Sequence, residues 1–163
     1  TAGRGPSDAS VLEPVPGKGK GLAIACGLQV GVGDASLGGD PYQMALAGID
    51  ECVRNLVCVG ADPARIAILD NFCWPSCDRP ENMGALVRAC AGCYDGAKAY
   101  RAPFVSGKDS LNNQLRYTDP DSGEPAVIEI PHTLLISGIA HVRSVARCVT
   151  MDAKKPDNIL DSV

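Results

Sequence analysis

Between Asp40 and Gly60 the chain reads as a helix whose two ends and packed face are all written in residue type. Asp40 offers a side-chain acceptor at the N-cap, and Pro41 suits the first helical position, where no N–H is needed. Gly60 stands where a C-terminal glycine belongs. Ile49, Cys52, Val53 and Leu56 fall at i, i+3, i+4 and i+7, with Asp50, Glu51, Arg54 and Asn55 on the other side. A helix with one apolar face must bury it against another layer. The residues before it supply one: Gly21 to Leu28 is an apolar run short enough for a strand. A glycine-dense connection, Gly31 to Asp40, joins the two.

The alternation continues. After the Gly60-Ala61-Asp62-Pro63 turn, Arg65 to Asn71 reads as a strand, and a loop holding Trp74, Pro75 and Pro80 leads to a helix over Glu81 to Tyr100. Met83, Leu86, Val87, Cys90, Cys93, Tyr94 and Ala97 form its apolar stripe, while Arg88, Asp95 and Lys98 face away. Phe104-Val105 starts a short strand running into the loop Ser106 to Asn113. Thr118 to Pro125 has hairpin chemistry. Val127 to Val142 is mostly strand, broken near Pro131, with Ile128, Ile130, Leu134, Ile136, Ala140 and Val142 on one face. The expected class is α+β: a two-layer sandwich of a mixed or antiparallel sheet of about four strands with two long helices. Residues 1–19, rich in Gly, Pro and Ser, read as a flexible lead-in.

Composition narrows the function classes. Of 163 residues 45% are hydrophobic and 21% charged, enough for a core and against disorder. Lys+Arg 15 against Asp+Glu 19 gives a net charge of -4 with no basic cluster, so no nucleic-acid partner is expected. No apolar run reaches the roughly 18 residues of a membrane span. Cys73-x3-Cys77 and Cys90-x2-Cys93 are spaced superficially like a zinc ribbon. The helical period, however, puts Cys90 and Cys93 on a face expected to be buried, so these ribbon-like cysteines read as small core residues, and eight cysteines in a chain large enough to bury a core fit the reducing cytoplasm.

Two segments carry candidate chemistry. Gly31 to Asp40 opens a helix, where backbone N–H groups and the positive helix end favour phosphate, although it matches neither G-x-G-x-x-G nor a Walker loop. Asp34 and Asp40 are candidate magnesium ligands there, with Asp40 equally a simple cap. Ser106-Gly107-Lys108-Asp109-Ser110 fails as a Walker loop because the first glycine would have to be Ala102. What remains is one cation, one carboxylate and two hydroxyls after a strand, a set suited to magnesium-nucleotide contacts or to a plain polar turn. His132 and His141 read as edge or surface residues and Tyr42 as a packing residue. Trp74 reads as an interface anchor or a loop plug.

Taken together these segments resemble phosphoribosylformylglycinamidine synthase. The resemblance rests on Gly39-Asp40-Pro41-Tyr42-Gln43-Met44-Ala45, Val53-Arg54-Asn55-Leu56-Val57 with Gly60-Ala61-Asp62-Pro63, and Ile68-Leu69-Asp70-Asn71-Phe72-Cys73-Trp74-Pro75. Pro103 to Asn113 and Ile130 to Ser137 complete it, in order, over about residues 20–160. The match is to the N-terminal domain of the second of two homologous halves, with residues 20–150 as that domain and 151–163 as a linker cut short before a C-terminal domain.

The resemblance implies the fold of aminoimidazole ribonucleotide synthetase, in which two such domains pair into a barrel. It implies an ATP-dependent carbon–nitrogen ligase that takes formylglycinamide ribonucleotide and glutamine-derived ammonia, with ATP and Mg2+ as cofactors. Gly107 would touch the nucleotide and Ser110 the substrate. The family's magnesium position, Asn in many members, is Lys108 here; an ammonium cannot ligate the metal, so Lys108 is expected on phosphate and Asp109 on magnesium. An ungapped match puts the nucleotide-contacting aspartate at Ile68, and Asp70 is taken as its counterpart.

Where the first half carries its catalytic histidine in a Glu-Ser-His-Asn motif, this chain has Val30-Gly31-Val32-Gly33 and no histidine, and Arg54-Asn55 replaces the metal-holding Arg-Asp. The chain is therefore expected to be inactive alone and to work with the other half and a glutaminase domain or subunit. An alternative is a non-catalytic half that pairs into the barrel and binds a structural nucleotide. Its unpaired sheet edge would make the isolated chain a homodimer.

Overall fold

The structure, a computed structural model, describes residues 7–152 and 155–157. In chain order the elements are β1 (Ser10–Leu12), β2 (Gly21–Leu28), α1 (Pro41–Cys58), β3 (Ile66–Cys73), α2 (Pro80–Tyr100), β4 (Phe104–Ser110), β5 (Gln114–Thr118), β6 (Pro125–Glu129) and β7 (Thr133–Val142). Two 3-10 turns, Val30–Gly33 and Ala35–Leu37, fill the glycine-rich connection. The main sheet runs β1-β2-β7-β3-β4, antiparallel throughout except for the parallel β3–β4 pair. α2 makes the crossover that a parallel pair requires. The expected two-layer α+β architecture holds, with five strands in the sheet.

The helical layer covers one sheet face. α1 starts at Asp40, whose side chain accepts from the Tyr42 N–H, and buries Met44, Ile49, Cys52, Val53 and Leu56 as the period requires. It rests on β2 and β7. Gly27 makes this approach close: a Cβ there would overlap the Gly48 carbonyl oxygen and crowd the Cys52 backbone nitrogen at 2.8 Å. Ile68, Leu134 and Ile136 complete the fully buried centre.

Several sequence expectations are corrected. α2 buries Ala89, Gly92, Cys93 and Gly96 and packs on α1; of the stripe read from the sequence, Leu86, Cys93 and Ala97 lie against the core and the rest do not. Met83, Val87, Cys90 and Tyr94 are exposed, Tyr94 by 63%. Small residues let the helices approach, and a period count weighted toward large side chains chose the wrong phase. Ser106–Ser110 is strand, not loop. Ile128 lies in the separate β5–β6 hairpin and is exposed, so it does not share the buried face of Leu134, Ile136, Ala140 and Val142. Ser10–Leu12, inside the stretch read as flexible, pairs with Leu22–Ile24. Of the expected linker 151–163, residues 153–154 and 158–163 lie outside the described residues.

The opposite sheet face carries no helix. Ile24 and Leu28 of β2, Leu69 of β3 and Ile139 of β7 stand exposed on it. Among the described residues no helix is long and apolar enough to cross a membrane.

The close seat of α1 yields the first prediction. Gly27→Ala should lower stability by about 3 kcal/mol, because the obstructing atoms are backbone and cannot rotate away. Gly31→Ala, which meets open space, should lie within about 0.5 kcal/mol of the parent. Urea unfolding of both variants checks this; equal midpoints would refute the proposed contact.

Candidate functional site

The pleat of β4 decides how its polar residues are grouped. β3 and β4 pair Asp70 with Gly107, Asn71 with Lys108, Phe72 with Asp109 and Cys73 with Ser110. Successive strand residues point to opposite faces. Gly107 and Asp109 therefore share the helix side with Asp70, while Lys108 and Ser110 share the open side, where Lys108 Nζ donates to Ser110 Oγ at 2.5 Å. The five residues expected to form one site, Asp70 on β3 and the other four on the edge strand β4, are split between the two faces of the sheet.

On the helix side, Gly107 leaves space that the Asp70 carboxylate fills: a Cβ at 107 would overlap its oxygens. Asp70 is half-buried, and burial first, then the Asp109 charge, pushes its carboxyl above the ordinary value. The same two carboxylates help raise the Cys90 thiol, mainly lifted by burial. Burial pushes the Cys93 thiol up to about 12. Both thiols are thus protonated at neutral pH. Among the described residues no three His, Cys, Asp or Glu side chains are grouped to hold a metal. Two carboxylates beside a glycine still suit Mg2+, which takes one or two carboxylates and completes its shell with water and phosphate.

The glycine-rich connection is internally satisfied. The N–H groups of Val32, Asp34, Leu37, Gly38, Gly39 and Asp40 donate to carbonyls of the same stretch. Asp34 Oδ1 accepts from the Ser36 N–H at 2.9 Å and from the Ser36 hydroxyl at 2.7 Å. Asp40 caps α1 and accepts from both Nε and Nη2 of Arg88. The positive end of α1 is therefore already neutralised by a carboxylate rather than open to phosphate.

A second cluster, at the carboxyl end of β3, was not assembled from the sequence. Trp74 is fully buried, which settles its role as a loop plug. Its ring stacks on His132 with centroids 4.5 Å apart and 15° between planes, and meets Phe72 edge-on at 5.7 Å. Trp74 Nε1 donates to the Asn82 carbonyl and Asn82 Nδ2 to the Ser76 carbonyl, both at 2.9 Å. His132 Nε2 lies 2.9 Å from Asn82 Oδ1. Since that oxygen can only accept, the proton sits on Nε2.

Beside this cluster lies a cavity of about 380 Å³ lined by Gly33, Asp34, Asn82, Glu129, Pro131 and His132. His132, expected at the surface, is half-buried, and burial lowers its pKa. His141 is also half-buried, with Nδ1 unpartnered. Tyr42 donates its hydroxyl to Asp95 at 2.9 Å. Only spatial proximity joins Trp74, Asn82 and His132, so no sequence spacing could have found them.

The family model for the AIR synthase related protein, N-terminal domain, matches residues 6–128. The phosphoribosylformylglycinamidine synthase subunit PurL of Parasynechococcus marenigrum (strain WH8102) is 31% identical over 156 residues, 93% of this chain and 19% of that protein. Among solved structures, PurLQS from Thermotoga maritima superposes with a TM-score of 0.69 at 21% identity, covering 88% of this chain and 21% of that one. T. maritima PurL complexed with ATP gives 0.63 at 21% identity over 88% and 21%, and complexed with FGAR 0.61 at 21% over 82% and 19%. The chain thus spans about a fifth of these relatives, and the structural likeness establishes the fold. A family match over three-quarters of the chain, carried on the same architecture, makes this protein a member of the AIR synthase related family through its N-terminal domain.

Proposed function

We propose that this chain is the N-terminal domain of the second homologous half of phosphoribosylformylglycinamidine synthase, a cytoplasmic enzyme of purine biosynthesis. The complete enzyme uses ATP to activate the amide oxygen of formylglycinamide ribonucleotide, which ammonia released from glutamine by a glutaminase domain or subunit then displaces. The observation that carries the reading is the Asp70–Gly107 pair with Asp109 beside it: a side-chain-free strand position under a half-buried carboxylate. Asp109 would hold Mg2+, which when bound neutralises phosphate charge, and Asp70 beside it would contact the bound nucleotide, directly or through the metal. Gly107, whose missing side chain makes room for the Asp70 carboxylate, would meet the nucleotide through its backbone at the free edge of the strand, and Lys108 would reach phosphate across that edge. Ser110 donates to the substrate from the open side.

Calorimetric titration of the chain with Mg-ADP and Mg-ATP tests this, with micromolar affinity expected. Asp109→Asn should weaken magnesium-dependent binding about tenfold, equivalent to about 1.4 kcal/mol, and Gly107→Ala should abolish it. Unchanged affinity in both variants would overturn the assignment.

Asp70 adds a pH signature. Its folded pKa is raised above 3.8, so its contribution to stability is complete below that value and is lost as pH rises through the folded value. Asp70→Asn should therefore raise the Tm at pH 7, with a gain that shrinks toward pH 4, while impairing nucleotide binding. A lower Tm at pH 7 would contradict the assigned burden of the charge.

A second reading, a structural half that pairs into a barrel, is favoured by the exposed Ile24, Leu28, Leu69 and Ile139 on the helix-free sheet face. The isolated chain should then dimerise, and Ile139→Glu should return it to a monomer. Light scattering that finds the parent monomeric at high concentration would refute this.

A further inference from the structure

We propose that His132 is a positioning residue for the Ser110–Asn113 segment, acting through Trp74. The backbone N–H of Trp74 donates to the Ser110 carbonyl at 2.7 Å, and the Trp74 carbonyl accepts from the Asn113 N–H at 2.9 Å. The two peptide groups that flank the Trp74 Cα thus bracket the segment that begins with Ser110. The other bracket is the Ile130 N–H on the Asn113 carbonyl at 3.1 Å, two residues before His132.

The plane of the Trp74 ring is held from three sides. Phe72 meets its edge, the Asn82 carbonyl accepts from its Nε1, and the His132 imidazole covers its face. His132 is itself tied by Nε2–H to the side chain of the same Asn82. Removing the imidazole takes away the cover of the indole and one bond of Asn82 together. The indole then loses its stack, and the peptide bracketing Ser110 loses the wall that sets its height.

The groups facing His132 come from three elements. Glu129 of β6 and Asp34 of the glycine-rich connection favour the charged ring, while Arg79 at the start of α2 opposes it. Burial dominates and keeps the ring neutral at pH 7. A neutral ring keeps Nε2–H on Asn82 and leaves Nδ1 to take the proton on acidification. The stabilisation is complete above the ordinary histidine value of 6.5 and declines as pH falls through the lowered folded value.

The functional consequence rests on the reading of Ser110 as a substrate contact; the coupling itself does not, and the experiment separates them. Trp74 is the only tryptophan in the chain, so its emission reports the protonation of the stacked imidazole directly. In the unmodified chain, Trp74 emission and the amide shifts of Ser110 and Asn113 should titrate with one midpoint below 6.5, while residues 136 and 140 of β7 stay still. Emission that titrates while those two amides do not would overturn the coupling.

His132→Ala should speed hydrogen exchange at the Trp74 and Asn113 amides about tenfold or more, and His132→Gln, which keeps a donor for Asn82, should recover part of the protection. Unaltered exchange in His132→Ala would also overturn it. In the full-length enzyme His132→Ala should raise the KM for formylglycinamide ribonucleotide about tenfold with less change in kcat. Coupled titration and exchange with an unmoved KM would leave the pin intact and refute Ser110 as a substrate contact.

Discussion

The backbone of α1 lies almost directly on the backbone of β2, with Gly27 in the sheet facing Gly48 and Cys52 in the helix. No side chain stands between them, so the helical layer sits low over β2 and β7, and Ile49, Cys52 and Leu56 are driven fully into the core. The position of α2 follows from that seat. Its buried face is built of Ala89, Gly92, Cys93 and Gly96, which lets it nest against α1 rather than spread over β3 and β4. The helix side of the β3–β4 edge is thereby left partly uncovered, and it is there that Asp70, Gly107 and Asp109 stand.

An edge strand with charged residues on both faces is a compromise between pairing and access. β4 donates only one of its edges to the sheet, through the parallel ladder with β3. Its free edge leaves both faces reachable from solvent, and the pleat sends Asp109 one way and Lys108 the other. A cation and a carboxylate adjacent in sequence are thus kept from neutralising each other. Lys108 instead turns to Ser110 on its own face, and Asp70 and Asp109 keep a negative pair on theirs. Such a pair disfavours its own ionisation, which burial of Asp70 reinforces.

The legibility of the sequence varied with the locality of the cause. α1 was readable because its cap, its terminal glycine and its apolar period all lie within twenty residues and agree. α2 is only partly legible, because its packed face is built largely of alanine and glycine around Cys93, with Leu86 and Ala97 at its margin, while the large residues Met83, Val87 and Tyr94 remain outside. β1 escaped notice because three residues hold no period, and its pairing with β2 is decided by the turn between them. Ile128 was placed on the wrong layer because Pro131 does more than interrupt a strand: it separates a two-stranded hairpin from the main sheet.

Residue types alone determined that this chain alternates strands and helices, that an amphipathic helix lies between Asp40 and Gly60, and that Ser106–Ser110 is a run of polar residues around one glycine. These are consequences of backbone capping and of side-chain periods that act over a few residues. Tertiary structure alone decided which side of β4 each of those polar residues faces, since that depends on pairing with β3, more than thirty residues earlier. It also decided that Trp74, Asn82 and His132 meet. Their separations in sequence carry no signal, and only the packing of α2 and β7 around the end of β3 brings one indole, one amide and one imidazole within bonding distance.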